Sequence, residues 1–354
     1  MIARVCARTA IALALTLPAA AAAQESLPVE IGGLLRAGAR AHSDSGIGAQ
    51  GFQLFESRLK VSGSVGLVFD YKFVTRYDAS RDAFRIHDAM VTMPLMPEFQ
   101  IKFGMFKPNF SHEAVVSRAD ITFVNRSQAV TAIKPGRQIG VEAGGEALEG
   151  RLSYGAGLYN GNGRDVTNDD DNYLFTGRVQ FNSIGTIAFY DEFVAQAGVS
   201  VGYSTDTSAS LGTGIVTGDR SAAPRITSDF AGERLLWGAD MELSYRGLTL
   251  SGEYLRADFD LDASLGGAGS SETEAYGGYA QFGYRPWGLI EGVVRYDGFR
   301  PALGADREFM VFGVNMYPDN HARFGVQYAS ALGDSPNAPT LSDGQFMFLA
   351  QVNF

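Results

Sequence analysis

Basic side chains recur at even spacing through the first third of the chain, at Arg36, Arg40, Arg58, Lys60, Lys72, Arg76 and Lys102, with Arg85 beside them. A strand turns successive side chains to opposite faces, so such spacing gathers cations on one face of a sheet. Glu30, Glu56 and Asp70 oppose them there. If that face lines a narrow passage, its guanidinium and ammonium groups replace part of the water that an anion sheds on entry. Arginine meets oxyanions bidentately, whereas lysine acts as a point charge. A second basic group lies in "SHEAVVSRADITFVNRSQAVTAIKPGR", residues 111–137, where Arg118, Arg126, Lys134 and Arg137 outnumber Glu113 and Asp120. Acids at lumen-facing positions gather farther on, at Asp240, Glu242, Glu291 and Asp297, relieved by Arg178, Arg295 and Arg323. Two readings follow: a wall that selects anions, or a transverse field between a basic arc and an acidic side that favours no solute.

Other reactive groups form weaker patterns. His42, His87, His112 and His321 are scattered. Ser111 adjoins His112, but no spacing guarantees the orienting acid that a hydrolytic triad needs, so a barrel enzyme is the less favoured alternative. The "NDDDN" at 168–172 lacks the glycine and terminal glutamate of a calcium loop, and "GNG" at 161–163 opens no helix. We expect no catalytic residues, no metal and no cofactor.

The elements that must hold the cations are strands. The chain ends "GQFMFLAQVNF", with Phe346, Phe348, Ala350, Val352 and Phe354 on one parity. The same alternation marks sixteen segments, near 29–42, 52–63, 66–78, 83–94, 98–109, 138–147, 151–160, 172–183, 193–206, 234–246, 248–260, 273–285, 289–299, 307–317, 322–331 and 344–354. Short turns such as "YRGL" and "PDNH" alternate with long polar links such as "STDTSASLGTGIVTGDRSAAPRITSDFAGE". One parity is greasy, as at Phe69, Tyr71 and Phe73 or at Phe99, Ile101 and Phe103, and the other is polar or small. Both tryptophans, with Tyr77, Tyr203, Tyr284, Tyr317 and Phe354, fall near expected strand ends, where interfacial girdles belong. The pattern predicts an all-β fold, a 16-stranded antiparallel transmembrane β-barrel with no exposed edge.

The N-terminus fits that destination. Arg4 and Arg8 precede an apolar stretch from Ala10 to Leu17, and Ala21 and Ala23 form a small-x-small site. This reads as a signal peptide, 1–23, cut before Gln24, ahead of one barrel domain, 24–354. The sole cysteine, Cys6, precedes the apolar stretch, which excludes a lipoprotein signal and leaves the mature chain without a thiol. Cutting there removes two of the 29 basic residues and none of the 39 acidic ones, for a formal charge of −12. That charge argues against nucleic acid as a partner. In 111–137, Val115, Val116, Ile121, Phe123 and Val124 have no use in an exposed loop; folding inward against the wall buries them and narrows the pore. Ser111 could cap a short helix over 112–117.

The stretch "FGMFKPNFSHEAVVSRADITFVNRSQAV" resembles the phosphate-selective porins O and P. Gly104, Phe106, Lys107, Phe110, Ser111, Glu113, Ser117, Thr122, Phe123, Arg126 and Ser127 fall on that family's pattern, and "FESRLKVSGSVGLVFDYKFVTRYD" is similar to its second hairpin. There are departures: proline directly follows Lys107, Asn125 stands where an acid is common, and Glu56-Ser57-Arg58 replaces adjacent arginines. The resemblance implies a homotrimeric diffusion channel in the outer membrane of a Gram-negative bacterium, with lipid and lipopolysaccharide around it. It implies small anionic solutes, phosphate-like ones among them, with a general porin as the alternative. A terminal Phe354 resembles the signal read by the barrel-assembly machinery. The expected pore and anion-binding residues are Arg36, Arg58, Lys60, Lys72, Arg76, Lys102, Lys107, Arg126 and Lys134.

Overall fold

The computed structural model describes residues 29–43, 50–66, 68–78, 82–96, 98–161, 163, 167–168, 171–183, 193–209, 230–261, 272–302, 304–337 and 341–354. The expected signal peptide, 1–23, with Asp165, Asp169, Asp170, most of 208–230 and Asp262, lies outside them. The strands are β1 (Val29–His42), β2 (Gly51–Val65), β3 (Phe69–Asp78), β4 (Ala83–Met96), β5 (Phe99–Phe106), β6 (Gln138–Ala147), β7 (Leu152–Tyr159) and β8 (Leu174–Ser183). They continue as β9 (Phe193–Ala209), β10 (Phe230–Tyr245), β11 (Leu248–Leu261), β12 (Glu272–Tyr284), β13 (Ile290–Arg300), β14 (Arg307–Met316), β15 (Ala322–Ala331) and β16 (Gln345–Asn353). Two short helices, α1 (His112–Val115) and α2 (Gln128–Ile133), lie between β5 and β6.

Each strand pairs antiparallel with its neighbours in sequence, and β1 pairs with β16 from Leu34↔Asn353 to His42↔Gln345, closing a 16-stranded barrel. Just beyond that ladder the Gly33 N–H donates to the Phe354 carbonyl at 2.7 Å and the Phe354 N–H returns a bond to the Gly33 carbonyl at 3.1 Å. Closure satisfies every edge, which a bilayer demands because it offers backbone groups no water. Tight turns use the residues that suit them. Arg246 and Gly247, both at positive φ, join β10 to β11 across the pair Tyr245↔Leu248.

Alternation decides the faces. Phe73, Phe103, Phe175, Val199, Phe282, Phe312 and Phe348 lie exposed on the outward parity, and Arg36, Glu142, Arg178, Glu253, Arg295 and Gln327 are buried on the other. Trp237 sits well inside β10 rather than near its end, because that strand starts at Phe230, before the expected 234. At that height it packs on Tyr254, ring centroids 5.4 Å apart, and Tyr254 approaches Tyr276 at 6.4 Å, an aromatic girdle with charged strand tops above it. At the opposite rim Trp287 is exposed, Arg246 lies over the ring of Tyr245 and Arg285 over that of Tyr317.

Three bulges break the alternation on the basic side, one of them at Leu95 near the end of β4. Between β1 and β2 the register shifts so that Arg36 opposes Glu56 while Ala37 opposes Leu54, which leaves Phe55 as the extra residue. Between β3 and β4 the shift leaves His87 extra, beside Asp88. A bulge re-aims adjacent side chains. Phe55 turns to the inner face, where a Cβ on Gly38 would stand 2.8 Å from its ring.

Candidate functional site

Segment 107–137 meets the polar face of the wall from β1 around to β16. Its helices begin where short polar side chains can cap them. The Ser111 hydroxyl accepts from the Ala114 N–H and the Ser127 hydroxyl from the Val130 N–H. Wall carboxylates complete both ends: Glu253 on β11 accepts from the His112 and Glu113 N–H groups, each at 3.1 Å, and Asp297 on β13 accepts from Gln128 N–H at 3.1 Å. Glu113 joins the two helices, accepting from Ser127 N–H at 2.8 Å and pairing with Arg295 at 2.6 Å. Arg295 also lies over the rings of Phe123 and Tyr279, 4.5 Å from each centroid.

Apolar packing holds the same flank. Phe110, Ala114, Ala129, Val130 and Ile133 cluster with Leu236, Leu255, Phe259, Tyr279 and Phe299 from β10 to β13. Phe123 packs with Val293, Phe309, Val311 and Leu341, and Val124 with Met347 and Leu349. Each large side chain so buried contributes roughly 1.5–3 kcal/mol. Between the helices the backbone runs past the wall's amides and arginines. Gln351 donates to the Ala119 carbonyl, Arg323 to Ile121, Asn315 to Thr122 and Arg36 to Val124, while the Gln327 side chain accepts from Val124 N–H.

The opposite flank is ionic. Glu56 on β2 is reached by Arg58 at 2.5 Å, Arg76 at 3.5 Å and, from the segment, Arg118 at 3.8 Å. Asp88 on β4 is reached by Arg137 at 2.7 Å and Lys72 at 3.9 Å. Lys102 pairs with Glu142 at 3.0 Å. Thus five cations converge on the two carboxylates Glu56 and Asp88. Across the barrel, Arg178 holds Asp240 in a two-pronged pair at 2.5 and 2.9 Å, and Glu291 accepts from Asn315 and Tyr317.

The expected site residues therefore divide. Arg58, Lys60, Lys72, Arg76 and Lys102 are partly exposed on the polar face. Arg36 is fully buried. Lys107 donates to the carbonyls of Ala114, Val115 and Val116, Arg126 to those of Glu113 and Val116, and Lys134 to those of Val130 and Thr131. Burial, with Arg126 and Arg137 nearby, pushes the Lys107 ammonium down to about 6. Burial, with Arg126 and Arg118 nearby, pushes Lys134 down to about 7. Spacing alone missed the anchors Glu253, Asn315, Gln327 and Gln351. The signal that points to Glu253 is inward apolar residues at Leu236, Leu255, Ala257 and Phe259, on strands that are apolar outward as well.

A family model described as phosphate-selective porin O and P matches residues 42–345. Among solved structures, a loop L8 deletion mutant of OmpT, an outer membrane protein of Vibrio cholerae, is 14% identical with a TM-score of 0.65, over 92% of this chain and 99% of that one. In-vitro folded OmpT of Vibrio cholerae in its trimer form is 12% identical with a TM-score of 0.61, over 92% and 99%. An anion-selective porin from Comamonas acidovorans is 12% identical with a TM-score of 0.63, again over 92% and 99%. No curated protein matches. At such identities the solved structures speak for the barrel, while the family match spans most of it, including the motif from Gly104 to Ser127. The chain belongs to the phosphate-selective porin O and P family of outer-membrane channels.

Proposed function

We propose that this channel passes small hydrophilic solutes by diffusion, that segment 107–137 forms its constriction, and that the constriction favours anions. The observation that carries the preference is the convergence of Arg58, Lys72, Arg76, Arg118 and Arg137 on only Glu56 and Asp88. The excess positive charge lies where water is sparse and screening weak, so it outweighs the acidic rim, which faces bulk electrolyte screened over about 8 Å at physiological salt. Contacts of one short segment with strands as far apart as β2, β11 and β15 support its place across the bore. Arg36, Arg126, Lys107 and Lys134 act mainly as its fasteners, and Arg58, Lys60, Lys72, Arg76 and Lys102 as the groups that solutes meet. The Ser111 hydroxyl serves as a helix cap, which supports transport rather than hydrolysis as the work of this barrel.

The same reading makes the protein a homotrimer, sheds residues 1–23 on export, sets the outer face in lipid and lipopolysaccharide, and gives Phe354 to the assembly machinery. Phe354→Asp is expected to empty the outer membrane of folded barrel. Undiminished heat-modifiable barrel there would remove that role. The selectivity is tested by reversal potentials of purified protein in a planar bilayer under a potassium chloride gradient. Anion preference at low salt that weakens as salt rises is expected; cation preference would replace this reading with a general porin.

A further inference from the structure

Glu56 is a buried carboxylate in the middle of the cations that are proposed to draw anions in. Its side chain has 0% exposure and lies on the polar face opposite Arg36, next to the bulge at Phe55. One oxygen, Oε1, accepts from Arg58 Nε at 2.6 Å and lies in ion-pair contact with its Nη2 at 2.5 Å. Arg76 and Arg118 stand off at 3.5 and 3.8 Å, in ion-pair range but without a hydrogen bond to the carboxylate. Their side chains keep 31% and 27% exposure. The Glu56 Oε2 and Arg76 Nε atoms are buried and lack hydrogen-bond partners among the described residues. Arg58 thus grips the carboxylate directly, whereas Arg76 and Arg118, the more exposed of the three, keep donors that are not spent on it.

We propose that Glu56 is a specificity-determining residue: it stands in the three-arginine site as a built-in carboxylate, so that multiply charged oxyanions pass this neck without being retained. The proposal rests on the reading of this arc as the ion path. Conduction requires that binding be strong enough to admit an ion and weak enough to release it. Three guanidinium groups around an empty centre form a trap for an oxyanion, held bidentately in a low-dielectric setting. The fixed carboxylate cancels one of those charges and repels a second oxyanion, and the repulsion grows with the solute's charge. Singly charged solutes feel it least.

The test uses the full-length protein in planar bilayers, with chloride as the current carrier and inorganic phosphate at about pH 7.5 as the probe. Wild type is expected to show anion preference and weak inhibition by phosphate. Glu56→Gln, which keeps the shape and removes the charge, is expected to lower the half-inhibiting phosphate concentration at least tenfold and to raise anion preference. Inhibition unchanged in this variant overturns the proposal while leaving the anion reading intact, and a cation-selective wild type overturns the anion reading itself. Removing a buried carboxylate from beside arginines can prevent folding, so Arg118→Gln serves as the second arm, since it leaves the wall pair in place. There, phosphate inhibition is expected to weaken further, and inhibition equal to wild type would show that the arginines around Glu56 do not engage passing oxyanions.

Discussion

Glu56 on β2 and Glu253 on β11 are both lumen-facing carboxylates, both buried, and both touch segment 107–137, yet their partners differ in kind. Arginine side chains surround Glu56, one of them from the segment. Glu253 takes two main-chain N–H groups at the start of a helix, amid the apolar cluster of Leu255, Phe110 and Tyr279. A carboxylate bound to main-chain donors fixes a backbone. One shared among arginines leaves charge and spare donors on its surroundings. The helix starts of the segment are therefore fastened on the β11–β13 wall, while the cluster of cations, two of them from the segment itself, lies on the β2–β4 wall.

The largest expected effect comes from removing what both walls hold. Deleting 111–137 is expected to raise single-channel conductance several-fold, whereas deleting the Gly/Ser/Thr-rich stretch 208–230 changes it little. Equal effects would place the narrowest point elsewhere. Next in size is the loss of the ionic side alone: Arg58→Gln, Lys72→Gln and Lys102→Gln together are expected to abolish anion preference at nearly unchanged conductance, and neutralising Asp169, Asp170 and Asp171 to leave it in place. Reversal potentials decide; a rim effect as large as the neck effect would end the contrast drawn between screened and unscreened charge.

The smallest expected effect is a pH dependence. Lys134 and Lys107 are displaced downward to about 7 and about 6, so each gains its charge only as pH falls through those values. Anion preference is expected to grow modestly from about pH 8 to about pH 5, in two steps, with Lys134→Gln losing the upper one. A profile that is flat, or that falls with acid, would show that these ammonium groups carry their charge throughout.

Strand number, strand order and the outward face were legible because a lipid-facing wall imposes period two on every strand. The bulges were not, since an extra residue such as Phe55 or His87 leaves no mark in composition and is defined only by the partner strand. Parity likewise says which face Lys102 occupies but not what lies against Arg36, which the backbone of Val124 covers. Lys107 and Lys134 read as solute-facing cations because a count of charges does not reveal main-chain carbonyls within reach. Ser111 as a helix cap could be read locally; α2 and its dependence on Asp297 needed a neighbour that lies 169 residues on.

The β1–β16 seam has a consequence in time. Every other ladder joins strands consecutive in the chain, so hairpins can form and register one after another as local events. The seam alone waits for two ends separated by nearly the whole polypeptide. Loop closure over such a length is thermodynamically mild, about 0.6 kcal/mol for each doubling, but non-local pairings are slow to find. Until Gly33 and Phe354 meet, the sheet has two live edges, and a bilayer tolerates neither. Barrel closure is thus the step that removes the sheet's last two edges, and it requires the two ends of the chain to meet.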